Sequence, residues 1–273
     1  MRRVTFGLGL AILLVAAPLA SAQAQNASAD IGVVSVYAAG SLRPALTAIA
    51  HAFEARTGKH VALTFGASGL LRRRIQGGAD AQILASADMG QPEALARGGG
   101  WRAPVVFARS QLCLLARSTL EVTPATLLET LLRPAIRIGT STPGSDPSGD
   151  YTWQLFHKAD ALKPGAYATL NAKAIKLVGG SQAPKVPAGQ NAVAWFFVQN
   201  RIDVFVSYCN SAHRLQREHP ALKVVALPQD LAVAAAYGMT VRNDAPAAAR
   251  QFAAALLAAP AQKVLRENGF SAP

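Results

Sequence analysis

Charge and aromatic rings are scarce in this 273-residue chain: Asp, Glu, Lys and Arg make up 15% and Phe, Trp and Tyr 7%, against 51% hydrophobic residues. So apolar a composition excludes a disordered polypeptide. At roughly 100 to 200 residues per domain the length allows one large domain or two lobes. Acidic residues are the scarcer charge, 15 against 27 Lys plus Arg, and the resulting formal charge of +12 favours anionic partners. The five histidines, His51, His60, His157, His213 and His219, form no HExxH, and with the two cysteines they make no metal-ligand spacing, which argues against a metal site. Neither a recognition motif nor an interleaved aromatic run accompanies the basic triplet Arg72-Arg73-Arg74, so the triplet reads as solvated helix surface and no nucleic-acid partner is expected. The sequence also lacks internal repeats and low-complexity tracts. Beyond the N-terminal region it has no run of about 18 uninterrupted apolar residues, the length a membrane span needs.

Such a run stands only at the start. Arg2 and Arg3 precede an apolar stretch from Val4 to Ala20, and Ala20-Ser21-Ala22 or Ala22-Gln23-Ala24 offers a small-x-small cleavage site. Residues 1–24 therefore read as a Sec-type signal peptide, and the mature protein as exported. No cysteine lies near the cleavage site, which argues against a lipid anchor. In an oxidising compartment the two cysteines, Cys113 and Cys209, have one intrachain pairing open to them, and two buried free thiols are the alternative.

The rest alternates between short β-branched runs and helical periodicity. Ile31 to Tyr37 reads as a buried strand, and Leu42, Leu46, Ile49, Ala50 and Phe53 recur at helical spacing until Gly58. Val61 to Phe65, a turn and a short helix to Gln76 repeat the unit. Gln82 to Ala85, then a helix from Pro92, make a third. A second series follows Gly98-Gly99-Gly100, with strands at 111–116, 136–140, 173–178, 204–208 and 224–226. Helices are expected at 124–132, 151–161, 191–199, 246–258 and 261–268. Two sets of βα units imply an α/β fold of two lobes with mostly parallel sheets, and ligands in such sheets sit at the carboxyl ends of the strands.

Ser41, Ser68 and Ser148 each stand in a small-residue turn before a helical pattern: Ala-Ala-Gly-Ser-Leu, Phe-Gly-Ala-Ser-Gly and Pro-Ser-Gly-Asp-Tyr. Helix N-termini carry unpaired N–H groups and partial positive charge, which hold an anion, and the serine hydroxyl adds a donor. Ordinary N-capping is the plainer reading of each serine. A serine nucleophile is a third, but Gly66-Ala67-Ser68-Gly69-Leu70 is not the G-x-S-x-G elbow, and no order of Ser, Asp and His suggests a triad.

With these turns the sequence resembles the periplasmic molybdate-binding proteins, the substrate-binding components of oxyanion ABC importers. The resemblance rests on Val36-Tyr37-Ala38-Ala39-Gly40-Ser41-Leu42, Phe65-Gly66-Ala67-Ser68-Gly69, Ala85-Ser86-Ala87-Asp88, Pro147-Ser148-Gly149-Asp150-Tyr151, Val206-Ser207-Tyr208 and the terminal Pro260-Ala261-Gln262 through Gly269-Phe270, in family order. It implies a type II periplasmic-binding-protein fold with a hinge, lobe one spanning 31–108 plus 237–273 and lobe two 109–236. It implies a monomer that captures molybdate or tungstate between the lobes and hands it to an ABC permease, with no catalysis and no cofactor. By motif, Ser41 and Ser68 match the first-lobe serines that contact the anion, and Tyr208 matches the second-lobe tyrosine that donates to it. Ser148 stands where Ala is frequent, and Asn191 where Val is usual, at positions that offer backbone N–H groups. Gln82 replaces a usual Asp. In this topology the strands of Cys113 and Cys209 can be neighbours, so a disulfide is expected there. The departures at Gln82, Ser148 and Asn191 leave open another oxyanion or a small organic anion, and, from a different class, a secreted serine hydrolase using Ser68 is the alternative.

Overall fold

The computed structural model describes Met1 and residues 33–273; the expected signal peptide and the first two residues of lobe one lie outside the described residues. The first half opens with β1 (Val34–Ala39), whose Val34, Val36 and Ala38 are fully buried, and continues through α1 (Arg43–Thr57). Pro44 suits the first turn of α1, and Gly58, at φ 68°, ends it with its N–H on Glu54 O. Then come β2 (Val61–Gly66), α2 (Ser68–Gln76), β3 (Ile83–Ala85) and α3 (Gly90–Arg97). A long strand, β4 (Val105–Arg117), leads into the second half: α4 (Leu127–Leu132), β5 (Ile138–Ser141), α5 (Pro147–Leu162), α6 (Ala166–Lys173), β6 (Ala174–Val178), α7 (Ala192–Val198), β7 (Val204–Tyr208), α8 (Cys209–Glu218) and β8 (Leu222–Ala226). The chain returns along β9 (Ala234–Val241) and ends with α9 (Ala247–Leu257) and α10 (Ala259–Glu267).

The two halves repeat one strand order. β1 pairs in parallel with β2 and β3, and β5 in parallel with β6 and β7. Each parallel set is completed by antiparallel strands, β9 and β4 in the first half and β4 and β8 in the second. β4 serves both: residues 105–111 pair with β9, and 112–117 with β7 and β8. Parallel ladders thus build each half, and antiparallel strands carry the chain between them.

Three elements, β9, α6 and α8, and the first part of a fourth, residues 105–110 of β4, go beyond what the sequence pattern predicts. Residues 234–238 are Ala-Ala-Ala-Tyr-Gly, poor in strand formers; their extended shape comes from pairing with β4, a tertiary effect that local propensity does not carry.

One apolar cluster runs through both halves, joining Val36, Leu46 and Phe107 of the first to Ile138, Leu155 and Val206 of the second. In the first, Phe53 of α1 meets Phe252 of α9 edge to face at 5.2 Å between ring centres. In the second, Leu115, Leu177, Phe196, Phe197 and Phe205 form a separate cluster. Cys113 and Cys209 are joined by a disulfide, Cα to Cα 4.9 Å, which ties β4 to the start of α8. Where the halves meet, Tyr237 lies against Phe107, Tyr208 and Phe270 at 6.4, 5.4 and 5.1 Å between ring centres.

Candidate functional site

The carboxyl ends of the parallel strands from both halves face one another across a cavity of about 300 Å³. Ser41, Ser68, Ser148, Asn191 and Tyr208 all line it, two from the first half and three from the second. Their local structure follows from what precedes them. β1 ends at Ala39 and passes through a 3-10 turn, Gly40–Leu42, that carries Ser41. β2 ends at Gly66, and Ser68 is the first residue of α2, 1% exposed. β5 ends at Ser141, and a short loop leads to α5.

None of the three serines caps its helix. The N-cap positions are Leu42 for α1, Ala67 for α2 and Asp146 for α5, and neither Ser41 nor Ser68 makes a capping bond. Ser41 Oγ pairs with the Tyr237 hydroxyl at 3.0 Å, and Ser68 Oγ accepts the Ala87 N–H at 3.2 Å. Ser148 Oγ has no protein partner among the described residues, although the residue is buried. The Tyr208 hydroxyl donates to Ala87 O at 3.4 Å, a long bond across the two halves. Burial raises Tyr208 and Tyr237 well above the usual phenol range, so both stay protonated donors.

The second-half helix starts are less open than the sequence suggests. Asp146 Oδ1 accepts the Ser148 N–H at 3.0 Å. Asn191 Oδ1 accepts from Val193 N–H and Ala194 N–H at 3.0 and 3.2 Å, so its carboxamide oxygen serves α7. Across the cleft, Gly69 N–H donates to Ser145 O at 2.9 Å, and a Cβ at Gly69 would meet that oxygen at 2.7 Å, so only glycine lets the halves approach here. Arg73, expected to face solvent, donates to Gly144 O at 3.1 Å and Ser145 Oγ at 2.9 Å.

Sequence reasoning missed three residues of the cavity region. Asp146 lines the wall, and loss of solvation raises its carboxyl to about 6, against the lowering effect of the Ser148 N–H and Ser141; Asp150 and Asp88 raise it further. Its signal was present: Asp immediately before Pro147 is an N-cap followed by proline at the first helical position. Tyr237 is invisible without β9. Arg214 on α8 lines the far end beside Leu115, Phe205 and Leu215, its one carboxylate neighbour among the described residues being Glu218 at 4.0 Å. No histidine is among the lining residues, so Ser68 has no imidazole base there.

The family described as bacterial extracellular solute-binding protein matches residues 34–271. An uncharacterised protein of Pasteurella multocida, PM1146, is 34% identical over 86% of this chain and 97% of its own. The molybdate-binding protein ModA of Mycobacterium tuberculosis is 29% identical over the full length of both chains. Among solved structures, phospholactate-bound PEB3, a Campylobacter jejuni protein, superposes with a TM-score of 0.68 at 18% identity, covering 88% of this chain and all of that one. The fold is the type II periplasmic-binding-protein arrangement of two α/β lobes.

Proposed function

The chain belongs to the family of bacterial extracellular solute-binding proteins, and we propose that its solute is a tetrahedral oxyanion held between the lobes by Ser41, Ser68, Ser148 and Tyr208. One observation carries this reading: three serines in the turns or first helical turns that follow parallel strands, none of them a helix cap, converge with a buried tyrosine on a single cavity. Hydroxyl donors in a desolvated cleft gain strength from the low local dielectric, and they bind an anion without the cost of burying a counter-charge. The full-length relatives named as molybdate-binding support molybdate or tungstate as the cargo. The family's role supports export to the periplasm behind a cleaved leader of residues 1–24, delivery to an ABC permease and no catalysis, and the same proposal has the protein act as a monomer. The lobe boundaries, 108/109 and 236/237, fall on adjacent rungs of the β4–β9 ladder, Ala108 opposite Tyr237 and Arg109 opposite Ala236, which supports a hinge at that point.

A second reading, a proton-bearing oxyanion or a small organic anion, is supported by the Asp146 carboxylate in the wall. It is also supported by a volume at the lower end of the roughly 300–1,000 Å³ usual for organic ligands.

Thermal-shift titration with molybdate, tungstate, sulfate, phosphate and phospholactate tests the proposal. A ligand at about 100 times its Kd adds roughly 2.7 kcal/mol to stability, so at least one anion is expected to raise Tm by several degrees. No shift with any of them would overturn the oxyanion reading.

A further inference from the structure

A carboxylate in the wall of an anion site needs an explanation. Asp146 is half-buried, lines the cavity beside Ser141, Ser148 and Gly179, and accepts the Ser148 N–H, a donor that the anion would otherwise receive. The approach of Gly179 is so close that a Cβ there would overlap the Asp146 side chain, and Gly179 sits at φ 76°; the wall is shaped around this carboxyl group.

An ionised carboxylate accepts hydrogen bonds and donates none. Against a fully deprotonated dianion such as sulfate or molybdate it offers only repulsion. Against an oxyanion that retains an O–H it offers an acceptor, and the pair forms a short, charge-assisted hydrogen bond.

We infer that Asp146 is the specificity-determining residue of this site, selecting an oxyanion that brings an O–H donor, either hydrogen phosphate or a hydroxyl-bearing phosphate ester, over sulfate, molybdate and tungstate. The inference rests on the oxyanion reading of the cavity and decides between its two versions. The surroundings of Asp146 leave that role to it. Asp150 on its own helix, Asp88 after β3, Tyr208 at the end of β7 and Tyr237 on β9 are the titratable groups that feel its charge. Asp88 is engaged with Ser86 and Gln91, and Asp150 with the Gly144 N–H. The phenols are donors. Among the described residues, the one cationic side chain lining the cavity, Arg214, stands on α8.

The test is calorimetric titration of wild type and Asp146→Asn with phosphate, glycerol phosphate, sulfate and molybdate at about pH 7.5 and about pH 5. Asn caps a helix as well as Asp does, so the variant keeps α5, and circular dichroism checks this. Wild type at the higher pH should bind phosphate or glycerol phosphate at least about tenfold tighter than sulfate or molybdate, and Asp146→Asn should shrink that ratio by roughly tenfold or more. Glycerol phosphate binding more tightly than phosphate would place the donor on an organic ligand; the reverse would place it on hydrogen phosphate. At the lower pH, wild type should gain affinity for sulfate while the variant does not. Equal ratios in the two proteins, or a wild-type preference for sulfate or molybdate, would overturn the inference and leave the oxyanion reading standing. Absence of binding by all four anions to both proteins would end that reading and this inference together.

Discussion

Asp146 serves two ends that conflict: as N-cap it stabilises α5, and as a desolvated carboxylate beside Asp150 and Asp88 it is costly when charged. Its folded value of about 6 lies above the ordinary 3.8, so between those values the folded state binds more protons than the unfolded one. Stability from this group is full below the ordinary value and is lost as pH rises through about 6. Asp146→Asn should therefore raise Tm at neutral pH, with the difference fading toward about pH 4; thermal melts across that range check it, and a gain that persists in acid would contradict it. At the same scale, Ser41→Ala and Ser68→Ala each delete one hydroxyl donor to the anion, worth about 1.5 to 3 kcal/mol, or roughly tenfold or more in Kd. Calorimetry showing unchanged affinity in both variants would remove these serines from the site. Ser41 and Ser68 were legible because each follows an obvious strand through Gly and Ala. Asp146 was legible too, as Asp-Pro before a helix, although the pattern marks it as a cap and not as part of the cavity wall. The direction of the Asn191 carboxamide was not legible, since a sequence gives a residue's place and not which way its oxygen turns.

The strands and helices that carry the serines were legible for the same reason: buried parallel strands are continuous apolar runs, and the helices after them keep an apolar stripe. β9 escaped because Ala234, Ala235 and Ala236 have little strand preference of their own and are held by β4 on one side while residues 239–241 are held by β3 on the other. α8 escaped because a run of Asn, Ser, His, Arg and Gln hides its two buried apolar positions, Ala212 and Leu215, which pack in one cluster with Cys113 and Leu115 of β4. The Cys113–Cys209 disulfide gives that short helix a covalent anchor beside Tyr208. Closing a loop of 96 residues' separation restricts the unfolded chain, and a bridge of this kind contributes about 2–4 kcal/mol. Cys113→Ser with Cys209→Ser should lower the urea midpoint correspondingly and weaken anion binding through Tyr208; an unchanged midpoint would mean that α8 stands without the bridge.

At the scale of the whole molecule, the α/β class and the existence of two halves were legible in the order of the elements, while their meeting was not. Cross-cleft contacts such as Arg73 to Gly144 and Ser145, Gly69 to Ser145 and Tyr208 to Ala87 join residues far apart in sequence, and no local pattern encodes them. These contacts bring donors from both lobes onto one small volume. The central claim is that this volume is where the solute binds. A crystal structure grown with the oxyanion that stabilises the protein most, arsenate standing in for phosphate, locates the heavy atom by its anomalous scattering. The account predicts one peak within the cavity, its oxygens at hydrogen-bond distance from the hydroxyls of Ser41, Ser68 and Tyr208. A well-occupied peak elsewhere, with the cavity holding only water, would contradict it.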